Sequence, residues 1–367
     1  MSSGRKKHII ICSTSFYETD RRIIRISESL VKDGFSVSWI SRIHKQSSPQ
    51  IHGVSHIIID TLFKRGPLFY LEYNWRIWSK LRKHRDSIVC AVDLDTIPGV
   101  YLGGNSRKNI LAHDAHEIYY EVPELTNRKF KKRIWKTVAK FFLPKIRYNY
   151  TVNTSLSQHY ASNYGTKYEV IRNITPKPDL ELKPKEFNKV IAYLGVLNKG
   201  RGVEIAIDAM KERSDYTLLL LGEGDYSNEL RKQAEGMANV KFKGLVPPSQ
   251  IFQMLAKADI GLNILSADSL NYKLSLANKF FDYLYASLPS INMAYPEYNQ
   301  ILTNHPIGIM IESYTTEALI EGLDKISNPT FYSELKANCK RYRENYSWKN
   351  EEEKLLTLYN RLNEIDS

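Results

Sequence analysis

The sequence predicts an α/β protein with two doubly wound parallel sheets, one in each half of the chain. Short, continuous apolar segments rich in β-branched residues alternate with helical patterns from beginning to end, which is typical of parallel strands covered by helices on both faces. The alternation breaks once, over 175–185, where three prolines and mixed charges indicate a linker. A length of 367 residues accommodates two such domains.

Seven strands are predicted before the linker and six after it. In the first half they are His8–Cys12, Ser36–Ser41, Val54–Ile59, Ile88–Val92, Asn109–His113, Tyr148–Val152 and Glu169–Ile171. In the second half they are Val190–Leu194, Tyr216–Leu221, Val240–Phe242, Ile260–Asn263, Ser290–Met293 and Ile307–Ile311. We therefore predict Rossmann-like domains over residues 1–185 and 186–345, and a C-terminal helix, within residues 346–367, that packs back on the first domain. Because ligands of such sheets bind at the carboxyl ends of the strands, the two domains are expected to face a central cleft.

The two halves differ in charge. Residues 1–185 carry 32 Lys and Arg against 16 Asp and Glu, whereas residues 186–367 carry 20 against 24. A polyanionic partner is therefore expected for the first half only, and a nucleic acid and an anionic membrane both fit at this point. The three cysteines are far apart, which indicates core thiols in a reducing compartment. No apolar run approaches the ~20 residues of a spanning helix, and we expect a cytoplasmic protein.

The segment 192–204 has the pattern of an anion-binding loop. A predicted strand ends at Gly195, and a loop with three glycines leads into a helix that starts near Gly202. Glycines let the backbone approach a ligand, and the N-terminus of a helix attracts anions. A tight turn without a ligand would contain the same glycines, but Lys199 and Arg201 add two positive charges suited to a diphosphate.

Two more strand ends and a helix start follow. The segments 221–225 and 242–247 each carry glycine after a strand, and a helix opens within 275–283. There Asn278 and Asp282 are four residues apart and share one helix face. A carboxylate at that place can accept hydrogen bonds from both hydroxyls of a ribose; a solvated acid at a capped helix start is the alternative.

Polar residues also follow the strands of the first half, and they are expected to converge at one edge of the sheet. They are Asp20, Arg21 and Arg22 after the first strand, Asp93 and Asp95 after the fourth, and His113, Asp114, His116, Glu117 and Glu121 at or after the end of the fifth. A loop cap or a core polar group explains any one of them alone. The pattern His-Asp-x-His also permits a metal site.

Together these motifs resemble the family 4 retaining glycosyltransferases, which have the two-domain GT-B architecture, and the resemblance covers essentially the whole chain. "LGVLNKGRGVEIAIDAM" resembles the family's diphosphate loop, and "LLLLGEGD" and "FKGLVP" resemble its next two strand ends, the latter placing backbone against the base. "LANKFFDYLYASLPSI" resembles the segment Pro-Asn-Lys-x-Phe-Glu-Tyr, whose acid holds the donor ribose and whose backbone amides hold phosphate.

The resemblance implies a donor site in the second half. Lys199 and Arg201, with backbone amides near Gly195 and Ala277, would stabilise the leaving diphosphate. The residues implied to bind the nucleotide and sugar are Gly195, Asn198, Gly200, Gly222, Gly224, Leu245, Val246, Ser275, Leu276, Ala277, Asn278, Lys279 and Asp282. The sequence departs from the family at two positions. Asp282 replaces the usual Glu that holds the ribose, and Leu274 stands where many members carry an acid that contacts the donor sugar.

The segment "STSFYETDRR" resembles the family's N-terminal loop beside the cleft, and "HDAHEIYYEVPELTNRKFKKRIW" resembles a subgroup in which a histidine, here His116, reaches the donor sugar. The implied acceptor-side residues are Asp20, Arg21, Asp93, Asp95, Glu117 and Glu121. Because the family uses cations and a helix N-terminus where other glycosyltransferases use a divalent ion, we expect no metal and no cofactor. The substrate donor is expected to be a UDP- or GDP-sugar.

Residues 126–150 carry nine Lys and Arg and no acid, interleaved with apolar residues at helical spacing. A basic helix with an aromatic face is typical of the bilayer interface, and each basic residue near an anionic surface adds ~1 kcal/mol. Residues 73–83 repeat the pattern. The expected membrane contacts are Trp75, Trp78, Lys131, Lys132, Arg133, Trp135 and Phe141. We predict a peripheral protein at the cytoplasmic face of the plasma membrane.

The leading hypothesis is a metal-independent, retaining hexosyl- or N-acetylhexosaminyltransferase that acts on a lipid-linked, lipopolysaccharide or capsule saccharide. One alternative is a sugar-nucleotide epimerase of the same fold, which has no need of basic membrane helices. The other is a nucleic-acid-binding protein that uses the basic half. The sequence contains no recognised nucleic-acid-reading module, so this alternative ranks lower.

Overall fold

The computed structural model describes residues 6–43, 51–105, 108–178 and 185–365. They form two compact units. Unit 1 comprises residues 1–173 together with residues 349–367, and unit 2 comprises residues 174–348. Each unit contains one sheet whose paired strands are parallel. The α/β class is therefore confirmed, and each of the thirteen predicted strands overlaps a strand of the structure.

Unit 1 contains a seven-stranded sheet in the order 3-2-1-4-5-6-7. Two of its central strands, Ser87–Val92 and Ile110–Ala115, are buried along their whole length, which is why helices cover both faces. The strands are β1 (His8–Phe16), β2 (Ser36–Arg42), β3 (Val54–Ile58), β4 (Ser87–Val92), β5 (Ile110–Ala115), β6 (Tyr148–Thr151) and β7 (Glu169–Val170). The helices are α1 (Arg21–Lys32), α2 (Pro67–Leu81), α3 (Ile97–Gly104), α4 (Lys129–Phe142) and α5 (Thr154–Tyr164).

Unit 2 contains a six-stranded sheet in the order 10-9-8-11-12-13. The strands are β8 (Val190–Leu194), β9 (Thr217–Leu221), β10 (Val240–Phe242), β11 (Ile260–Asn263), β12 (Ser290–Met293) and β13 (Gly308–Ile311). The helices are α6 (Val203–Glu212), α7 (Ser227–Gln233), α8 (Pro248–Leu255), α9 (Leu270–Lys273), α10 (Asn278–Tyr285), α11 (Pro296–Asn304), α12 (Thr316–Ile326) and α13 (Pro329–Tyr342).

The division of the chain differs from the predicted boundary at residue 185. Ile174 is fully buried in the core of unit 2, and Lys185 forms an ion pair with the buried Asp259 of that unit (2.6 Å). Much of the predicted linker, residues 179–184, lies outside the described residues. The last helix, α14 (Trp348–Asn363), belongs almost wholly to unit 1, where the hydroxyl of its buried Tyr359 lies 3.2 Å from that of Tyr150.

The order of strands reverses between β1 and β4 in unit 1 and between β8 and β11 in unit 2. In open α/β sheets the crevice at the carboxyl ends of such strands is the usual ligand site. Within the described residues, no helix has the length and apolar character needed to cross a bilayer.

Candidate functional site

In unit 2, backbone hydrogen bonds continue past the ends of β8, β9 and β10. The N–H of Gly195 donates to the carbonyl of Leu221 (3.0 Å), and the N–H of Gly222 donates to the carbonyl of Gly244 (2.9 Å). Gly222 has a φ of 150°, and a Cβ at this position would lie 1.9 Å from the carbonyl oxygen of Gly195. Only glycine therefore lets these loops run side by side at the edge of the sheet.

The loop before α6 is held by one carboxylate. Oε1 of Glu204 accepts hydrogen bonds from the N–H of Gly200 (2.9 Å) and from the hydroxyl of Tyr314 (2.7 Å). The same hydroxyl accepts from the N–H of Gly202 (2.8 Å). Both glycines adopt positive φ angles, 77° and 81°. Arg201 lies between them, so its backbone is fixed on both sides.

Lys279, in the first turn of α10, is a buried lysine without a counter-ion. It is 6% exposed, its Nζ lies 3.7 Å from the centre of the Tyr193 ring, and this nitrogen has no hydrogen-bond partner among the described residues. Burial lowers the pKa of Lys279 well below its ordinary value, and the nearby Arg201 lowers it further. Nε of Arg201 is also buried without a partner, and its guanidinium lies 5.4 Å from the ring centre of Tyr272.

Lys279 is buried and Arg201 is half-buried, and two neighbouring cations with no ion-pair partner among the described residues are costly unless an anion binds there. Helices α6 and α10 add to this demand, because neither has a side-chain cap at its N-terminus. Their first N–H groups and the positive ends of their dipoles favour negative charge. Arg201 and Lys279 therefore suit the phosphates of a ligand.

The structure departs from the sequence interpretation at the two backbone amides. The N–H of Ala277 donates to the hydroxyl of Tyr298 (3.0 Å), and that of Gly195 is used between β8 and β9. Neither is available to a phosphate in this structure. Lys199 is exposed, and the structure brings Arg201 together with Lys279 instead.

The other predicted donor residues lie around the same strand ends. Oδ1 of Asn198 accepts from the N–H of Asp225 (3.2 Å), and a Cβ on Gly224 would lie 2.5 Å from the carbonyl oxygen of Leu197. Asp282 is 8% exposed, so its carboxylate is buried in α10 instead of being solvated. Leu245 (exposed) and Val246 (half-buried) follow β10, while Ser275 (half-buried), Leu276 (buried) and Asn278 (exposed) lie at or before the start of α10.

In unit 1, His116 lies between two carboxylates at the end of β5. Its Nε2 is 3.0 Å from Oδ2 of Asp114, its Nδ1 is 3.7 Å from Oδ2 of Asp93, and its backbone N–H donates to Oδ1 of Asp93 (2.8 Å). Burial alone would lower the pKa of His116, but Asp114 and Asp93 outweigh it and raise the pKa to about 9. The imidazole is therefore held as a cation, and its side chain is 21% exposed.

Arg22, one of the polar residues expected at the strand ends of this half, completes the network. Its Nε and Nη2 donate to the two oxygens of Asp114 (3.1 and 2.9 Å). Burial would raise the pKa of Asp114, but Arg22 and then His116 hold it below its usual range. β5 runs two residues further than predicted, because Asp114 and Ala115 pair with β6. His113 and Asp114 are therefore buried strand residues.

A second polar cluster surrounds Asp95. Its Oδ2 accepts from the hydroxyls of Thr14 (2.6 Å) and Tyr119 (3.1 Å), so the ends of β1 and β4 are bridged where the strand order reverses. Burial raises the pKa of Asp95 to about 7, and the charge of Asp93 adds to the effect. Burial likewise raises the pKa of Asp93 to about 7. Asp93 has a φ of 56°, a strained backbone for a residue other than glycine.

The remaining acceptor-side residues are more dispersed. Asp20 caps α1 by accepting from the N–H of Ile23 (3.1 Å), and Arg21 is exposed. Glu117 is half-buried next to His116. The carboxylate of Glu121 forms ion pairs with Lys132 and Lys136, so it fixes α4 against its preceding loop.

Two further points concern the predicted membrane surface and the metal alternative. Only Ala139 of α4 is buried, so most of its basic and aromatic residues face solvent. Lys131, Arg133 and Phe141 of α4 and Trp75 of α2 are exposed, and Trp78, Lys132 and Trp135 are half-buried.

In the described parts of the chain, no group of three or more His, Cys, Asp or Glu side chains is placed to hold a metal ion. Nδ1 of His113 is occupied by the hydroxyl of Tyr168 (2.7 Å), and Asp114 by Arg22.

Comparisons with known proteins bear on the family and the fold of the chain. Residues 179–346 match the model of the family described as glycosyl transferases group 1. The chain is similar to sucrose-phosphate synthase of Thermosynechococcus elongatus, with 15% identity, a TM-score of 0.80, and 97% of this chain and 99% of the other covered. It is also similar to WaaG, a glycosyltransferase involved in lipopolysaccharide biosynthesis (16% identity, TM-score 0.74, 94% and 98% covered).

A third similar structure is that of HepE from Anabaena in complex with UDP and glucose, with 14% identity, a TM-score of 0.74, and 96% of this chain and 98% of the other covered. At these identities the likeness shows the GT-B fold. No curated protein sequence matches the chain at a significant level.

Proposed function

We propose that this chain, a group 1 glycosyltransferase that uses a nucleotide-sugar donor, transfers a hexosyl or N-acetylhexosaminyl unit with retention and without a metal. The observation that carries the proposal is the pair of unneutralised cations, Arg201 and Lys279, at the strand ends of unit 2. Preorganised positive charge lowers the barrier where negative charge develops. Here that charge would develop on the diphosphate of a UDP- or GDP-sugar.

In the proposed step, the bond from the anomeric carbon to the diphosphate breaks, and the acceptor oxygen bonds to the same face of that carbon. The acceptor proton passes to a phosphate oxygen of the leaving group, so no protein base is needed. For His116 we keep the role implied by the resemblance, a hydrogen bond to the transferred sugar. Its Nδ1–H is suited to this, because the 3.7 Å to Asp93 is too long for a hydrogen bond.

The proposed acceptor is a saccharide on a lipid carrier, or of lipopolysaccharide or capsule type, reached at the inner face of the plasma membrane. Support comes from α4, whose exposed face combines Lys131 and Arg133 with Phe130 and Phe141, which are 77% and 56% exposed. A single helix that presents both cations and large apolar side chains to solvent fits a bilayer interface. WaaG, to which the chain is similar, is involved in lipopolysaccharide biosynthesis.

The experiment has two steps. Thermal-shift screening against UDP-, GDP- and ADP-sugars identifies the donor, because a ligand at 100 times its Kd stabilises the fold by ~2.7 kcal/mol. The stabilising donor, radiolabelled in the sugar, is then incubated with lipid-extracted acceptors, and the anomeric configuration of the product is read by NMR. We expect a labelled glycolipid with retained configuration. An inverted product would contradict the mechanism, and an epimerised nucleotide-sugar formed without acceptor would favour the epimerase alternative.

A further inference from the structure

An open apolar groove lies between α2, α3 and α4 of unit 1. Its volume is about 570 Å³, and aliphatic and aromatic side chains from all three helices line it. Leu71, Trp75 and Leu102 are 68%, 59% and 58% exposed, so water covers a surface that would normally be buried. Trp78, Trp135 and Ile134 complete the wall.

The groove adjoins the polar cluster of Asp95. Two of its lining residues connect to that cluster: Nδ2 of Asn74 donates to the carbonyl of Asp95 (2.8 Å), and the hydroxyl of Tyr70 lies 3.0 Å from that of Tyr119. The Tyr119 hydroxyl itself donates to the Asp95 carboxylate (3.1 Å). An apolar surface and the strand-end crevice of unit 1 are therefore neighbours.

Cations lie beside the same groove. Lys131 of α4 contributes to its lining. The guanidinium of Arg42, at the end of β2, lies 5.0 Å from the ring centre of Phe69 on α2, and its charge acts on Tyr70, which lines the groove. No ion pair among the described residues involves Arg42. A ligand that fits has a hydrocarbon chain and a polar, negatively charged head.

We propose that this groove binds the hydrocarbon chain of a lipid phosphate, the carrier of the acceptor saccharide, with the phosphate near Lys131 and Arg42 and the saccharide towards Asp95. The inference rests on the proposed function for the identity of the carrier. Each methylene that moves from water into an apolar site raises affinity about fourfold. The groove therefore contributes most of the binding free energy of such an acceptor, and the polar cluster of Asp95 contacts its saccharide.

The test uses farnesyl phosphate below its micellar concentration, with the full-length protein and no donor and no bilayer. Three of the five tryptophans line the groove, so saturable binding is expected to change the intrinsic fluorescence. Leu71→Asp combined with Leu102→Asp places charge inside the groove and is expected to weaken binding at least about tenfold. Both leucines are largely exposed, so the fold tolerates the change, which circular dichroism checks.

Leu62→Asp is the matched control, because Leu62 is 82% exposed and does not line the groove. It is expected to bind farnesyl phosphate like the wild type. The proposal is overturned if the fluorescence shows no saturable change, if the groove variant binds as well as the wild type, or if Leu62→Asp loses binding to the same extent as the groove variant. The fluorescence titration contains no nucleotide-sugar, so it tests the groove even if the protein fails to transfer a sugar. If the rate of sugar transfer does not depend on the chain length of the acceptor lipid, the groove assignment is wrong while the proposed function still holds.

Discussion

The buried ammonium of Lys279 has a direct consequence for the proton balance of ligand binding. Burial and the charge of Arg201 hold its pKa well below the usual ~10.4. A bound diphosphate would raise this pKa, because opposite charge favours the protonated form. Titration calorimetry with the cognate nucleoside diphosphate at about pH 8, in buffers of different ionisation enthalpy, is therefore expected to show proton uptake. The proton uptake is expected to disappear in Lys279→Met and to remain in Lys199→Met. Equal uptake in the two variants would mean that Lys279 is not the group that takes up the proton.

His116 gives a prediction for stability against pH. Its pKa is raised to about 9 in the folded protein, by carboxylates that outweigh burial, against ~6.5 unfolded. A raised pKa means that its stabilisation is complete below about pH 6.5 and is lost as the pH rises through about 9. The free energy of unfolding lost in His116→Gln is thus expected to shrink by on the order of 1–3 kcal/mol over this range.

The control for that series is His84→Gln, because burial lowers the pKa of His84 and it gains no charge partner. Its difference from the wild type is expected to stay constant above about pH 6.5. Urea unfolding at a series of pH values supplies both curves. A His116→Gln difference that is flat with pH would mean that the imidazole is not held as a cation.

Among the elements, the strand-end loops depend on close backbone contact. Gly222→Ala places a Cβ 1.9 Å from the carbonyl oxygen of Gly195, so we expect a loss of more than ~2 kcal/mol in stability and weaker nucleotide binding. Gly236→Ala is the control, because Gly236 also has a positive φ (78°) but no atom lies within 4 Å of an added Cβ. It is expected to cost only ~1–2 kcal/mol. Urea unfolding measures both variants. If they lose the same free energy of unfolding, the contact between the added Cβ and Gly195 does not destabilise the fold and the prediction is wrong.

Helix α4 is the element that we propose to contact the membrane. Lys129, Arg133 and Lys140 are exposed and lie outside the Glu121 ion pairs, so reversing all three to Glu is expected to reduce co-sedimentation with phosphatidylglycerol vesicles strongly. High salt is expected to weaken wild-type binding without abolishing it, because the apolar contribution remains. Reversal of Lys325, Lys340 and Arg341 in unit 2 makes the same change in net charge and is expected to have little effect. If both variants lose co-sedimentation equally, the net charge of the protein causes the binding and α4 has no specific role.

At the scale of the whole molecule, the sequence predicted the strands well because most are continuous buried apolar segments, a pattern that local sequence shows directly. It also predicted where polar residues lie close together, because ligands of parallel sheets bind at the carboxyl ends of the strands. It did not predict that Arg201 pairs with Lys279 or that Arg22 holds Asp114. These partners are far apart in the chain, and only the folded sheet brings them together.

The central claim is that Arg201 and Lys279 hold the diphosphate of the donor, and the most direct measurement is calorimetric titration of the wild type and three variants with UDP and GDP. We expect one nucleotide to bind, and Arg201→Met and Lys279→Met each to weaken it by roughly tenfold or more, the range of a lost charge-assisted bond. Lys199→Met is expected to weaken it less, because an exposed charge is screened. Unchanged affinity in both Arg201→Met and Lys279→Met would contradict the account.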